Sequence, residues 1–305
     1  MFKYLAYGIQ FEADFEIPGL YPANNNDITS KVKVELGQVP NTLINEVLDT
    51  KPFSIFNENE YLARVPEVAN YYVKDGEKVI IEPISSNFDE VLFYFYTGGL
   101  AAVLFQKDIL PYHVSGIVLK NNTVLLFAGY QRAGKSSTSI MLQNKGYLPF
   151  TDDTAVLVVE DGKCYAKASY PIMRALEKTI SMQTVYSEDE ISPIIKEGYK
   201  FGINFHEKFK EQQLPVSAIV FLSEEGEDIS ISQMKATDAI QLLKFNIYRK
   251  QWVSGMNKDL LQFKTISSIA QSQVQFFNAK RPQEQDSFDT FALAIENQII
   301  SKIGN

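Results

Sequence analysis

The chain has 305 residues, 45% of them hydrophobic, enough to bury one large core or two of ordinary size. Its 37 acidic against 29 basic residues leave a net charge of −8 with no long run of either sign, which argues against duplex nucleic acid and anionic membrane as partners. A single cysteine, Cys164, excludes an internal disulfide framework and a cysteine zinc site, and two histidines, His113 and His206, leave little for metal ligation.

Met1 to Asp14 carries no apolar signal core, so a reducing, cytoplasmic setting is expected. Residues 1–87 read as a β-rich N-terminal section, with strand-like runs at Tyr4–Phe11, Val32–Val34, Tyr61–Val65, Tyr71–Val73 and Lys78–Glu82. Asp75-Gly76 between the last two is a hairpin signal, and Pro18, Pro22 and Asn24-Asn25-Asn26 mark an early loop. The uncharged stretch Val91–Gln106 is shorter than the roughly 18–20 residues of a membrane span and is interrupted by Gly98-Gly99. It predicts a buried helix, capped by Ser86 or Asn87, with Asp89 and Glu90 in its first turn.

Residues 88–305 read as a second, α/β domain. His113 opens a strand, Val114–Leu119, which turns at Lys120-Asn121-Asn122 into Val124–Ala128; so short a link makes the pair antiparallel, because a parallel crossover needs a dozen or more residues. Gly129-Tyr130-Gln131-Arg132-Ala133-Gly134-Lys135-Ser136 then matches G-x-x-x-x-G-K-S between a strand and a helix that stops at Gly146. Tyr147–Phe150 runs into Thr151-Asp152-Asp153, and Ala155–Val159 and Cys164–Ala168 form a hairpin through Asp161-Gly162. Strands at Val216–Leu222 and Ile229–Gln233, helices at Thr237 to about Arg249 and Asn257–Ala270, a short strand at Val274–Phe277 and a helix after Asp286 complete the chain.

The chemistry implied by the octapeptide is phosphate binding: backbone N–H groups of a glycine-rich turn and the positive end of a helix dipole face the ligand. Gly129, Arg132, Ala133, Gly134, Lys135, Ser136 and Ser137 are the candidate nucleotide-binding residues, with Lys135 neutralising the outer phosphates and Ser136 holding magnesium. Asp152 and Asp153, seventeen and eighteen residues beyond Lys135, bring carboxylates toward the γ-phosphate if their segment returns beside the loop. There a carboxylate either binds the metal or accepts the proton of an attacking hydroxyl. His113 starts the neighbouring strand and so belongs to the same end of the sheet. Arg132 either contacts phosphate or is an exposed loop-tip residue, and His206 has no companion.

Together Leu110-Pro111-Tyr112-His113-Val114-Ser115-Gly116, the phosphate loop through Ser137, Gly146-Tyr147 and Phe150-Thr151-Asp152-Asp153 resemble the catalytic domain of HPr kinase/phosphorylase and its stand-alone homologues. Tyr170-Pro171-Ile172-Met173-Arg174 looks like a Tyr-Pro-x-Leu-Arg segment of the stand-alone group. The resemblance implies a phosphoenolpyruvate-carboxykinase-like P-loop kinase core with a mixed sheet, using ATP and Mg2+. It carries His113 over as an active-site residue and the Asp152-Asp153 pair as the source of the base and of a metal contact, without fixing which aspartate does which; Asp152 is taken here as the base and Asp153 as the carboxylate nearer the metal, and Arg174 is a candidate substrate contact. The Glu-x-Arg-Gly-x-Gly signature of the bifunctional enzymes has no counterpart in this chain, which removes the basis for phosphorylase activity and for HPr as substrate. The β-rich front looks instead like that of stand-alone serine kinases, including those encoded beside lasso-peptide precursors. The implied function is therefore transfer of the γ-phosphoryl group to a serine of a peptide or small protein. The family often assembles as homo-oligomers, though no interface is visible in the residues. Two alternatives stay open: a kinase of the same fold acting on a small hydroxylated metabolite clamped by Arg132, Arg174 and Lys178, and a non-catalytic nucleotide-sensing module.

Overall fold

The computed structural model describes residues 1–23, 30–193, 200–209, 213–282 and 287–303. The expected loop at Asn24-Asn25-Asn26 lies outside the described residues. Two units emerge: Met1–Pro111 with Tyr248–Lys264, and Tyr112–Ile247 with Thr265–Asn305.

The first unit is built on a nine-stranded sheet of β1 (Phe2–Ala6), β2 (Ile9–Ala13), β3 (Tyr21–Pro22), β4 (Lys31–Leu36), β5 (Asp49–Lys51), β6 (Ser54–Phe56), β7 (Glu60–Val65), β8 (Ala69–Lys74) and β9 (Lys78–Pro83). Their order is β3-β1-β2-β4-β9-β8-β7-β6-β5, antiparallel except where β4 pairs with β2 and β9. The expected single strand at Tyr4–Phe11 is corrected to a hairpin. Tyr7 (φ 57°) and Gly8 (φ 75°) both take the left-handed conformation of a tight two-residue turn, and β1 folds back on β2.

The predicted buried helix is present over Phe88–Gln106, as α1 (Phe88–Tyr94), a five-residue π turn (Phe95–Gly99) and α2 (Leu100–Gln106). Asn87 occupies the cap position, but its side chain makes no capping bond. The π turn falls at Gly98-Gly99, and the carbonyl of Thr97 accepts the Tyr248 hydroxyl (3.0 Å) and an Arg249 guanidinium N–H (3.2 Å). By length and composition this helix is able to cross a membrane; in this fold most of it is buried, and the Tyr71 hydroxyl of β8 donates to the Val91 carbonyl at 2.7 Å. Trp252, from the returning segment, packs on Phe56, Tyr61 and Phe105.

The second unit begins within β10 (Pro111–Tyr112), at Tyr112, and contains β11 (Val114–Val118), β12 (Val124–Gly129), α3 (Lys135–Asn144), β13 (Leu148–Thr151), β14 (Ala155–Glu160), β15 (Lys163–Ala168), β16 (Ile172–Leu176), α4 (Glu177–Met182), β17 (Ile191–Pro193), β18 (Lys200–Asn204), β19 (Gln213–Glu224), β20 (Ser230–Met234) and α5 (Ala236–Phe245). After α6 (Asp259–Gln271), in which the unit boundary falls, come β21 (Gln275–Arg281), α7 (Phe288–Ile295) and α8 (Ser301–Ile303). The main sheet runs β10-β14-β15-β19-β12-β11-β13, with β21 also on β19 and β20 on β21; β16, β18 and β17 form a small separate sheet. The sheet is mixed. β12 is parallel to β19, and β19 to β21, whereas β11 is antiparallel to both β12 and β13.

Three boundaries differ from expectation. α5 ends at Phe245 rather than near Arg249, because the Asn246 side chain donates to the Leu242 carbonyl (2.8 Å) and closes the last turn. β19 has twelve residues, its first part pairing with β15 and the rest lying between β12 and β21. β21 continues to Arg281, paired opposite Glu224, although its last residues are charged.

Candidate functional site

Sheet register alone brings the sequence candidates to one end. Val114 pairs with Ala128, so His113, one residue earlier, stands at the level of Gly129; Gly116 pairs with Thr151, so the chain leaves β13 there as well, at Asp152. This is the carboxyl end of β12 and β19, where parallel sheets place their ligands.

The loop between β12 and α3 is held by backbone conformations that L side chains resist. Gly129 has φ 150°, and a Cβ there would lie 2.5 Å from the Leu222 carbonyl oxygen of β19; Gly134, at the cap position of α3, has φ 92° and would meet the Phe288 ring at 2.9 Å. Gly129→Ala should therefore destabilise the fold by ~3 kcal/mol or more, seen as a clear fall in melting temperature. Arg132 adopts φ 69° at the exposed tip. No capping side chain or first-turn carboxylate stands at the start of α3, so its dipole is directed at the loop without a built-in anion. Lys135 is buried, and its ammonium donates to the carbonyls of Gly129 (3.0 Å) and Tyr130 (3.1 Å). Burial pulls its pKa down to about 8, against the opposing pull of the Asp152 and Asp153 charges.

Asp152 is 1% exposed and has both oxygens occupied: Ser136 Oγ donates to Oδ1 at 2.8 Å and the Arg174 backbone N–H donates to Oδ2 at 2.9 Å. Burial pushes its pKa up to about 6; the Asp153 charge adds to this, while the bonds from Arg174 and Ser136 and the Arg174 charge oppose it. Asp153 has φ 67° in a three-residue turn closed by the Thr154 N–H on the Asp152 carbonyl, 2.8 Å. Such a conformation costs roughly 1–3 kcal/mol and persists only where its surroundings enforce it. Here they do: the Thr151 hydroxyl donates to the Thr154 carbonyl (2.6 Å), and Ser169 Oγ lies 2.9 Å from Thr151 Oγ1 and donates to the Asp152 carbonyl (3.3 Å). The turn aims Asp153 at His113 Nδ1 (3.6 Å) and Arg174 Nη1 (3.3 Å), and Arg174 Nη2 also donates to the Tyr170 hydroxyl (3.1 Å).

A buried carboxyl held near 6 instead of 3.8 costs the folded state roughly 3 kcal/mol once ionised. Because the folded pKa is raised, that roughly 3 kcal/mol of stability is fully present below about pH 4 and is lost as pH rises through about 6. Asp152→Asn removes that cost. Its carbonyl can accept the Arg174 N–H while its amide donates to the Ser136 hydroxyl, which can turn to accept. The variant should match wild type near pH 4 and exceed it by roughly 2–3 kcal/mol at pH 8 in urea unfolding of the ligand-free protein.

The structure thus gathers Gly129, Gly134, Lys135, Ser136, Asp152, Asp153, His113 and Arg174. Ala133 is buried behind the loop, Ser137 is turned to Thr179 Oγ1 (2.9 Å), and Arg132 points outward at the exposed tip. Ser136 stands against Asp152, whereas Asp153 is joined to His113 and Arg174. Sequence reasoning missed Asn246. Its side-chain oxygen accepts the Gly129 N–H (2.8 Å) and its carbonyl accepts the His113 N–H (2.7 Å), so one buried residue ties the loop to the histidine. It also missed Arg281, which is buried over the Phe288 ring (4.0 Å) and paired with Glu224 (3.1 Å) behind Gly134.

In class, then, this is a mixed α/β protein with a glycine-rich strand–loop–helix turn facing an acidic pair, Asp152 buried and Asp153 half-buried. Among solved structures it is similar to the HPr(Ser) kinase/phosphatase from Coxiella burnetii, at 10% identity and a TM-score of 0.34, over 63% of this chain and 97% of that one. No family model matches the sequence, and no curated protein matches it.

Proposed function

We propose that the protein is an ATP- and magnesium-dependent kinase that transfers the γ-phosphoryl group to a serine hydroxyl of a peptide or small protein. The observation that carries this reading is the convergence of Lys135, Ser136 and Asp152 with the Asp153–His113 pair at one end of the sheet. A simple nucleotide-binding module needs the first group but has no use for the second.

The loop amides and α3 hold the phosphates, and Lys135 exchanges its carbonyl partners for the outer phosphate oxygens, where its charge is stabilised. Ser136 Oγ and Asp152 Oδ1, 2.8 Å apart, are hard oxygen donors of the kind magnesium takes. Among the described residues no group of three or more His, Cys, Asp or Glu is placed to hold a metal. Magnesium bound through a hydroxyl, one carboxylate and phosphate oxygens does not require such a cage. When bound, it neutralises charge on the transferring group. The contact between Ser136 and Asp152 favours the metal at Asp152 and leaves Asp153 to take the hydroxyl proton, with His113 beside it; of the two assignments open in the sequence, this is the one opposite to the preferred reading of Asp152 as base. Arg174 is engaged with Asp153 and Tyr170, so it orients the base. A lasso-peptide precursor fits the implied acceptor class.

The test is incubation with γ-labelled ATP and magnesium against serine peptides and, separately, hydroxylated metabolites. Label on peptides supports the proposal; label only on metabolites moves the acceptor to small molecules; nucleotide binding without transfer to any acceptor leaves a sensing module.

A further inference from the structure

Tyr130, the second residue of the phosphate loop, is 57% exposed, and its ring lies 4.2 Å from that of Phe245, tilted by 52°. Two bonds locate this aromatic pair relative to the chemistry. The Tyr130 carbonyl accepts Lys135 Nζ, and the lysine of such a loop serves the β- and γ-phosphates, so Tyr130 stands at the outer-phosphate end. Phe245 immediately precedes Asn246, whose carbonyl accepts the His113 N–H, and His113 faces Asp153. The pair therefore borders the side from which an acceptor hydroxyl must approach both the γ-phosphate and the base. An exposed aromatic face beside a polar reaction centre offers stacking and apolar contact, worth most to a planar or bulky side chain.

We propose that Tyr130, backed by Phe245, is a specificity-determining residue that selects acceptor peptides carrying an aromatic or large aliphatic residue beside the phosphorylated serine. This rests on the kinase reading above and narrows its substrate class. Tyr130 takes no part in proton or phosphoryl transfer; it sets which hydroxyl dwells there.

The experiment uses the full chain, ATP, magnesium and a serine-centred peptide library randomised at the flanking positions, with phosphorylated products sequenced by mass spectrometry. Wild type should enrich Phe, Tyr, Trp, Leu and Met over Gly and Asp at one flanking position by about tenfold. Tyr130→Phe, which keeps the ring, should retain the enrichment; Tyr130→Ala and Phe245→Ala should reduce it to about twofold or less. Equal use of apolar and small flanking residues by wild type, or enrichment that survives Tyr130→Ala, overturns the assignment. Nucleotide binding and hydrolysis without any labelled peptide overturns it while leaving the phosphate site standing. Absence of nucleotide binding removes the kinase reading itself, and a parallel nucleotide titration tells these two failures apart.

Discussion

Asp153→Asn should lower phosphoryl transfer by about 10²- to 10⁴-fold while leaving nucleotide affinity within about threefold of wild type, the signature of a lost general base. The substitution preserves shape, and Asn tolerates the left-handed backbone of φ 67° at this position. Its carbonyl can still accept from Arg174, 3.3 Å from the present Oδ2, so the turn stays supported. What disappears is the ability to receive a proton next to His113. Asp152→Asn gives a different defect in the same assay: with the Ser136 partner neutralised, transfer falls mainly by a rise in the magnesium concentration required. Single-turnover transfer of labelled phosphate, run across magnesium concentrations beside a calorimetric nucleotide titration, separates the two. Undiminished transfer by Asp153→Asn would remove it from the role of base.

Lys135→Met should weaken ATP binding by about 10²- to 10³-fold, because charge-assisted hydrogen bonds to phosphate contribute about 1.5–3 kcal/mol each. The same change should alter the stability of the ligand-free protein by only about 1 kcal/mol. Burial already disfavours the ammonium, as its pKa near 8 shows, and a methionine of similar length fills the space. Against this gain stands the loss of a donor to the Gly129 and Tyr130 carbonyls. Calorimetric titration and thermal melting of one preparation read both effects. A variant that melts far below wild type would mean that Lys135 is chiefly a structural strut of the loop.

The site was legible in sequence where its chemistry is local. Gly129 to Ser136 announces a loop because left-handed and crowded positions demand glycine, and the short turn after Val114–Leu119 leaves only an antiparallel pairing with β12. Asp152-Asp153 follows α3 at a distance that one helix and one strand account for. Contacts made across the fold were not legible. Asn246 reaches Gly129 from 117 residues away at the end of a helix with no motif of its own, and Arg281 lies beyond the short strand expected at Val274–Phe277 and meets Glu224 only because β21 continues that far. The division of contacts, with Ser136 on Asp152 and His113 and Arg174 on Asp153, goes with a positive φ at Asp153 that aspartate readily adopts but that no residue pattern specifies. In the first unit, the hairpin at Tyr7-Gly8 was hidden inside a run of strand-forming residues, and only the single glycine hinted at it. The return of Tyr248–Lys264 to that unit left no signal beyond Trp252, whose ring finds Phe56, Tyr61 and Phe105.

On the proposed function, the loop from Gly129 to Ser136 together with Asp152 grips a magnesium–nucleotide. Titrating the wild-type chain with ATP in a calorimeter, with magnesium and then with chelator, tests it directly. The structure predicts saturable one-to-one binding that pyrophosphate displaces, that chelator weakens, and that Lys135→Met abolishes over the same range. No saturable binding by a folded wild-type chain at millimolar ATP, or binding indifferent to Lys135, would contradict it.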